Sequence, residues 1–144
     1  MIIFKNVDLG IYAYQIKFFK ITRIGEIVWS IHDDVKNDKF YLRIEGFYVA
    51  EKCRRHGLGR KLLNKAIKQN LGVNCPHMIV YPKTFGEKIL KNNETLYNIY
   101  EHLGFYFTGK SVNRTEADNE MRYDFIVKKK RRKFLYRTNF FSSL

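Results

Sequence analysis

The sequence predicts an α/β domain built on a mixed sheet, and three observations predict it. The first fifty residues are rich in aromatic and β-branched side chains, broken by turn-prone clusters, as a series of strands would be. From Gly57 the apolar spacing changes to a helical period. Beyond that helix come a short apolar strand, a second helical stripe and two more strand-like runs.

Each element has its own warrant. Residues 12–21, YAYQIKFFKI, alternate imperfectly, but their composition favours a strand over a helix. GEIVWSI at 25–31 is a clearer strand, and HDDVKND behind it suggests a hairpin. FYLRIEGFYVA at 40–50 is the longest strand candidate, with Gly46 inside it marking a bulge or a close backbone approach. Leu58, Leu62, Leu63, Ala66 and Ile67 then form one side of a helix whose other side carries Arg60, Lys61, Lys65 and Lys68, and Gly72 is a fitting stop. HMIVYP at 77–82 is a strand. Asn93 can cap a second helix with an apolar stripe of Leu96, Ile99, Tyr100 and Leu103, ended by Gly104. FYFTGK at 105–110 and MRYDFIVKK at 121–129 are the closing strands, joined by a polar connection.

A chain of 144 residues, 45% hydrophobic, supports one core. We expect a single domain over residues 1–128 and a basic aromatic tail over 129–144. No apolar run approaches the roughly 18 residues of a membrane span, and the start lacks the pattern of a signal peptide, so the expected setting is the cytoplasm. Cys53 and Cys75 lack CxxC or metal-type spacing, so neither a disulfide framework nor a metal site is expected. The net charge of +13 implies an anionic ligand or surface. No acid follows Asp124, whereas Lys128, Lys129, Lys130, Arg131, Arg132, Lys133 and Arg137 follow it; removing these seven leaves 20 basic against 14 acidic residues, a net of +6.

The remaining charge gathers at CRRHGLG, residues 53–59. A strand that runs through a glycine turn into a helix makes an anion site, because the first N–H groups of the helix lack internal acceptors and the dipole favours negative charge. Gly57 and Gly59 remove Cβ atoms from the approach, and Arg54, Arg55 and Arg60 add charge. A pyrophosphate or multiply phosphorylated cofactor suits such a site. Two familiar phosphate loops do not fit: GxxxxGK[ST] is absent, and GLGRKL lacks the third glycine and the later acid of a dinucleotide fold.

FYVAEKCRRHGLGRKLL resembles the acetyl-CoA motif of the GCN5-related N-acetyltransferases (GNAT), in which Val is followed after four residues by Arg or Gln, then after two by Gly, then after one by Gly or Ala. Val49, Arg54, Gly57 and Gly59 fill those positions. NETLYNIYEHLGF is similar to the family's second signature through Asn93, Tyr100, Gly104 and Phe105. The resemblance covers about residues 40–128 and implies a GNAT-like, mostly antiparallel central sheet flanked by helices. Relatives place two helices among the first strands, whereas here only some forty residues precede the central strand, which implies a shortened N-terminal helical region. Glu51 stands where proline is common, and the connection over residues 83–93 is long enough to form part of an acceptor wall.

The resemblance also implies roles. The pyrophosphate of acetyl-CoA, the acyl-donor substrate, would lie on the backbone N–H groups running from Arg55 through His56, Gly57, Leu58 and Gly59 to Arg60. Its pantetheine arm would run beside Phe47, Tyr48 and Val49, with Asn93 steadying it. A backbone N–H near Tyr48 would hold the thioester carbonyl. An ordinary strand-to-helix junction with a solvated basic face is the plain alternative. Tyr100 is the candidate acid, since a phenol is protonated at neutral pH; a core aromatic is the alternative. Glu45, two and four residues before Phe47 and Val49 and so on their strand face, is the candidate base, set against a surface charge pair. His32, Asp33 and Asp34 are weaker candidates from a turn, and a water chain would need no dedicated residue. His56 fits a phosphate-side or exposed position better than catalysis, and Cys53 a packed thiol. These features imply acetyl transfer to a primary amine of unidentified nature. The tail interleaves charge with aromatics, as contacts with nucleic acid or anionic membrane do, so the alternatives are a tRNA-directed acetyltransferase or a non-catalytic nucleic-acid-binding protein on the same fold.

Overall fold

The computed structural model describes residues 1–70, 75–82, 93–108 and 120–125, the side chains of 93–95 excepted. Three antiparallel strands, β1 (Ile2–Val7), β2 (Gly10–Lys17) and β3 (Lys20–Asp34), lead into β4 (Lys39–Val49). A 3-10 turn (Glu51–Cys53) and α1 (Leu58–Asn70) follow, then β5 (His77–Val80), α2 (Asn93–Leu103), β6 (Tyr106–Phe107) and β7 (Met121–Asp124). The seven strands form one sheet in the order β1-β2-β3-β4-β5-β7-β6, and only the β4–β5 pair is parallel.

The mixed, mostly antiparallel sheet is the one anticipated, but its N-terminal part differs. Residues 1–49 contain no helix: the shortened helical region is replaced by tight hairpins. The run at 12–21 is not one strand either. Lys17 pairs with Lys20, and Phe18 and Phe19 form the two-residue turn between β2 and β3. Aromatic composition pointed to a strand through this position, whereas pairing of the flanking segments requires the chain to reverse there. The closing strands are shorter than the runs at 105–110 and 121–129 suggested. Gly72, most of the 83–93 connection and the tail lie outside the described residues.

One face of the sheet carries the core. Ile11 and Ala13 of β2, Ile27 and Trp29 of β3, Leu42 and Ile44 of β4, and Met78 and Val80 of β5 are buried there. The buried stripe of α1, Leu58, Leu62, Leu63 and Ala66, meets this face as the helical period requires. The α2 stripe is rotated from the expected one. Tyr97 and Tyr100 are buried with Leu96 and Leu103 packed beside them, while Ile99 is half exposed. Tyr97 meets Phe107 edge-on at 5.4 Å, so the ring partner on β6 sets the helix phase.

Candidate active site

The site begins where the parallel pair parts. β4 and β5 are paired at Leu42–Met78, Arg43–Ile79 and Ile44–Val80; β5 then ends, while β4 continues five residues further to Val49. Among the described residues, that stretch of β4 has β3 on one edge and an open edge on the other. The register decides which amides face the opening. The Ala50 N–H donates to the Ile24 carbonyl at 2.8 Å, and Gly25 pairs with Val49. Gly25–Val49 is therefore a non-hydrogen-bonded antiparallel pair, and the backbone groups of Val49 and of Phe47 turn away from β3 into the opening. The Tyr48 N–H is turned towards β3, so the N–H near Tyr48 that faces the opening is that of Phe47.

A β-bulge precedes this stretch. Val28 pairs with Gly46 and Trp29 with Ile44, so Glu45 has no partner of its own in the register. The extra residue reverses the alternation. Leu42 and Ile44 point to the core before it, and Phe47 and Val49 pack against the core after it. Glu45 consequently does not share the face of Phe47 and Val49, as strict alternation had implied. It stays with Arg43 on the opposite face: Arg43 Nε lies 3.4 Å from Glu45 Oε1, and Ser30, the cross-strand partner of Arg43, donates through Oγ to the same oxygen at 2.6 Å.

Ser30 is a joint rather than an endpoint. His32 Nε2 lies 2.8 Å from Ser30 Oγ. A hydroxyl has one proton, and a carboxylate only accepts, so Ser30 donates to Glu45 and His32 presents Nε2–H to Ser30. The His32 ring stacks on Tyr41 at 5.3 Å, and Tyr41 stacks on His77 at 5.6 Å. Burial and the nearby Arg122 charge push His77 below the usual imidazole range. Glu45 is thus held by a short polar row across β3 and β4, which sequence reasoning missed. Two strands had to be brought into register before Ser30 and Glu45 could be seen as neighbours.

Tyr100 lies on the core face. It is buried, with its ring 6.2 Å from Phe47 and 5.3 Å edge-on to Phe105. Desolvation pushes its phenol well above the usual tyrosine range, so it holds its proton at neutral pH. Gly104, at φ 106°, closes α2 while the Phe105 N–H donates to the Tyr100 carbonyl at 3.0 Å.

At the far end of the open edge, the Lys61 N–H donates to the Gly57 carbonyl at 3.0 Å, which makes Gly57 the N-cap of α1. The N–H groups of Leu58, Gly59 and Arg60 are then left without helical acceptors. Gly57 has φ 79°, and a Cβ built there would meet nothing within 4 Å. Arg55 is also left-handed at φ 63°. No acid occupies the first turn of α1. The arginines are more structural than expected: Arg54 Nε donates to the Val49 carbonyl at 2.9 Å, and Arg60 Nη2 to the His102 carbonyl at 3.0 Å, favourably placed at the C-terminal end of α2. His56 is exposed, and Cys53 packs against the core. Asn93 begins α2, and its side chain is outside the described residues. Among the described residues no cluster of three metal-ligating side chains occurs, and no helix is long and apolar enough to cross a membrane.

An open strand edge ending in a positive helix N-terminus is the shared architecture of one group of proteins, and residues 14–106 match the acetyltransferase (GNAT) domain. The chain belongs to the GNAT acetyltransferase family. No curated protein sequence matches it. Solved GNAT-fold structures do. A structure of the NatC complex bound to Gag peptide and CoA aligns with TM-score 0.61 and 21% identity, over 81% of this chain and 71% of that one. Arabidopsis thaliana NAA60 with a bisubstrate analogue gives 0.58 and 14%, over 80% and 74%. The GNAT-family N-acetyltransferase YhbS from Escherichia coli, in complex with CoA, gives 0.58 and 17%, over 82% and 59%. At these identities the structures share the fold with this GNAT chain. Family membership makes acetyl-CoA the acyl donor, and the described residues fit it: an unfilled approach at Gly57, three N–H groups without helical acceptors and a strand edge left open among those residues.

Proposed function

We propose that this GNAT domain transfers the acetyl group of acetyl-CoA directly to a primary amine, with Tyr100 as general acid and Glu45 as general base. The observation that carries the reading is the bulge at Glu45: it puts the carboxylate and the buried phenol on opposite faces of the sheet, at the point where β4 and β5 separate. A donor threaded along the open edge meets one group from each side.

Acetyl-CoA supplies an activated thioester carbonyl. The N–H groups at Leu58, Gly59 and Arg60 would bind the pyrophosphate, with Arg55 and His56 beside it, and Asn93 would steady the pantetheine. The Phe47 N–H, aimed into the opening, stabilises negative charge on the carbonyl oxygen as the amine nitrogen attacks. Glu45 accepts the proton lost by the amine, directly or through one water, while the new N–C bond forms. Tyr100 gives its hydroxyl proton to the sulfur as the C–S bond breaks and recovers a proton from solvent. Ser30 and His32 hold Glu45 in place.

The test is thiol release from acetyl-CoA, screened over polyamines, amino acids, peptides and aminoacyl-tRNA. An amine that accelerates release in the native chain, and fails to do so with Glu45→Gln, supports the proposal. Tight CoA binding with no acceleration by any amine class would overturn it in favour of a binding module.

A second reading concerns the acceptor's carrier. The seven cations after Asp124, with no acid among them, favour an acceptor carried on a polyanion such as RNA. A salt-dependent gel shift lost on removing residues after Lys128 is the expected result; a shift unchanged by that truncation would refute it.

A further inference from the structure

The turn between β2 and β3 is chemically at odds with its sequence. Phe18 and Phe19 both have positive φ, 45° and 62°, in a two-residue turn closed by the Lys17–Lys20 pair. Turns with two left-handed central residues favour Asn-Gly, because a Cβ crowds the carbonyl in that conformation. Both rings also lie in water, at 97% and 106% exposure, so neither is placed there by packing. The backbone and the solvent both disfavour phenylalanine here. The nearby Ile21 is exposed too, and its cross-strand partner Ile16 is only half-buried.

We propose that this hairpin tip seats the protein on an anionic lipid surface, with Phe18 and Phe19 entering the interfacial layer and Lys17 and Lys20 meeting the headgroups. Charge selects this occupant. Lys17 and Lys20 are exposed, and no acidic residue occurs between Gly10 and Gly25. A second copy docking through the same tip would bring like charges together. A protein partner would need a preformed double pocket for two rings projecting from a point, whereas a bilayer interface closes around such a wedge. Aromatic rings favour that boundary, and each nearby lysine adds attraction that salt screens. The tip rests on the surface; nothing in it crosses the bilayer. This inference is independent of the catalytic reading.

The experiment uses the full chain and vesicles of phosphatidylcholine with or without phosphatidylserine. Replacing the tip by Phe18→Asn with Phe19→Gly installs the preferred turn, so thermal stability should hold or rise while partition onto the anionic vesicles falls by about tenfold or more. Partition equal to the native chain's overturns the proposal. In Phe19→Trp, emission from the introduced tryptophan should shift to the blue on anionic vesicles and be quenched by lipids brominated in the acyl chain. The native chain supplies the baseline, since its single tryptophan, Trp29, is 4% exposed. Vesicle binding in which the introduced indole stays water-like and unquenched assigns the interaction to the basic tail and refutes the tip. A concentration-dependent blue shift without lipid assigns the tip to self-association and refutes the membrane.

Discussion

Replacing Gly57 by valine separates donor binding from folding. In the structure Gly57 sits at φ 79° as the N-cap of α1, and a Cβ added there meets no protein atom within 4 Å. The fold therefore bears only the conformational cost of a side chain in the left-handed region, about 1–2 kcal/mol. The donor bears more. Charge-assisted bonds from helix N–H groups to phosphate contribute roughly 1.5–3 kcal/mol each, and a branched side chain over the mouth of α1 removes two of them. The expected loss of CoA affinity is then about a hundredfold or greater. Asparagine tolerates the left-handed region, so Gly57→Asn should melt near the native temperature and still bind CoA weakly. Calorimetric titration with CoA, paired with denaturant unfolding, reads both terms. Native CoA affinity in a folded Gly57→Val protein would refute the placement of the pyrophosphate.

Further outcomes follow from the same geometry. Tyr100→Phe keeps the ring against Phe47 and Phe105, so stability and CoA affinity should change little while amine-dependent thiol release slows by roughly 10²–10⁴; because burial raises the phenol above its usual range, the native rate should show no loss from tyrosine ionisation up to about pH 10. Unchanged release in the variant would exclude Tyr100 as the acid. Ser30→Ala leaves Glu45 without its 2.6 Å donor, and kcat should fall by about tenfold with CoA binding intact, whereas Ser30→Thr restores most of it; an equal loss in both variants would point to packing. Gly104→Ala forces a side chain into φ 106°, with its Cβ 2.9 Å from Tyr123 Cε2, and should cost about 2–4 kcal/mol in urea unfolding. A loss below about 0.5 kcal/mol would show that α2 can end another way.

Much of the strand, turn and helix start proposed to hold the donor was legible because it is local. Val49 to Gly59 is a strand, turn and helix start in a single stretch of chain, and Tyr100 to Phe105 is a helix end, so spacing alone places their parts. The surroundings of Glu45 were not, because they depend on register. Glu45 changes face through one unpaired residue, and Gly46 marked the bulge without saying which residue would be extra. Ser30 becomes relevant only across a strand pair, and His32, a weaker base candidate in the sequence, is linked to Glu45 only through it. Phe18 and Phe19 misled for a related reason: their composition speaks for a strand, and the pairing of Lys17 with Lys20 overrules it. In α2 the helical period was correct and its phase was not, since the phase is fixed by Phe107 on a later strand.

The bulge in β4 has an evolutionary corollary. On either side of it the strand obeys opposite parity, so the odd-numbered side chains Tyr41, Arg43 and Glu45 look outward, while the odd-numbered Phe47 and Val49 look inward. If Glu45 serves as the proposed base, mutations in the outward set would act on the acceptor side while leaving the inward-facing Phe47 and Val49 in place. One surplus residue thereby gives a single strand two independently adjustable halves.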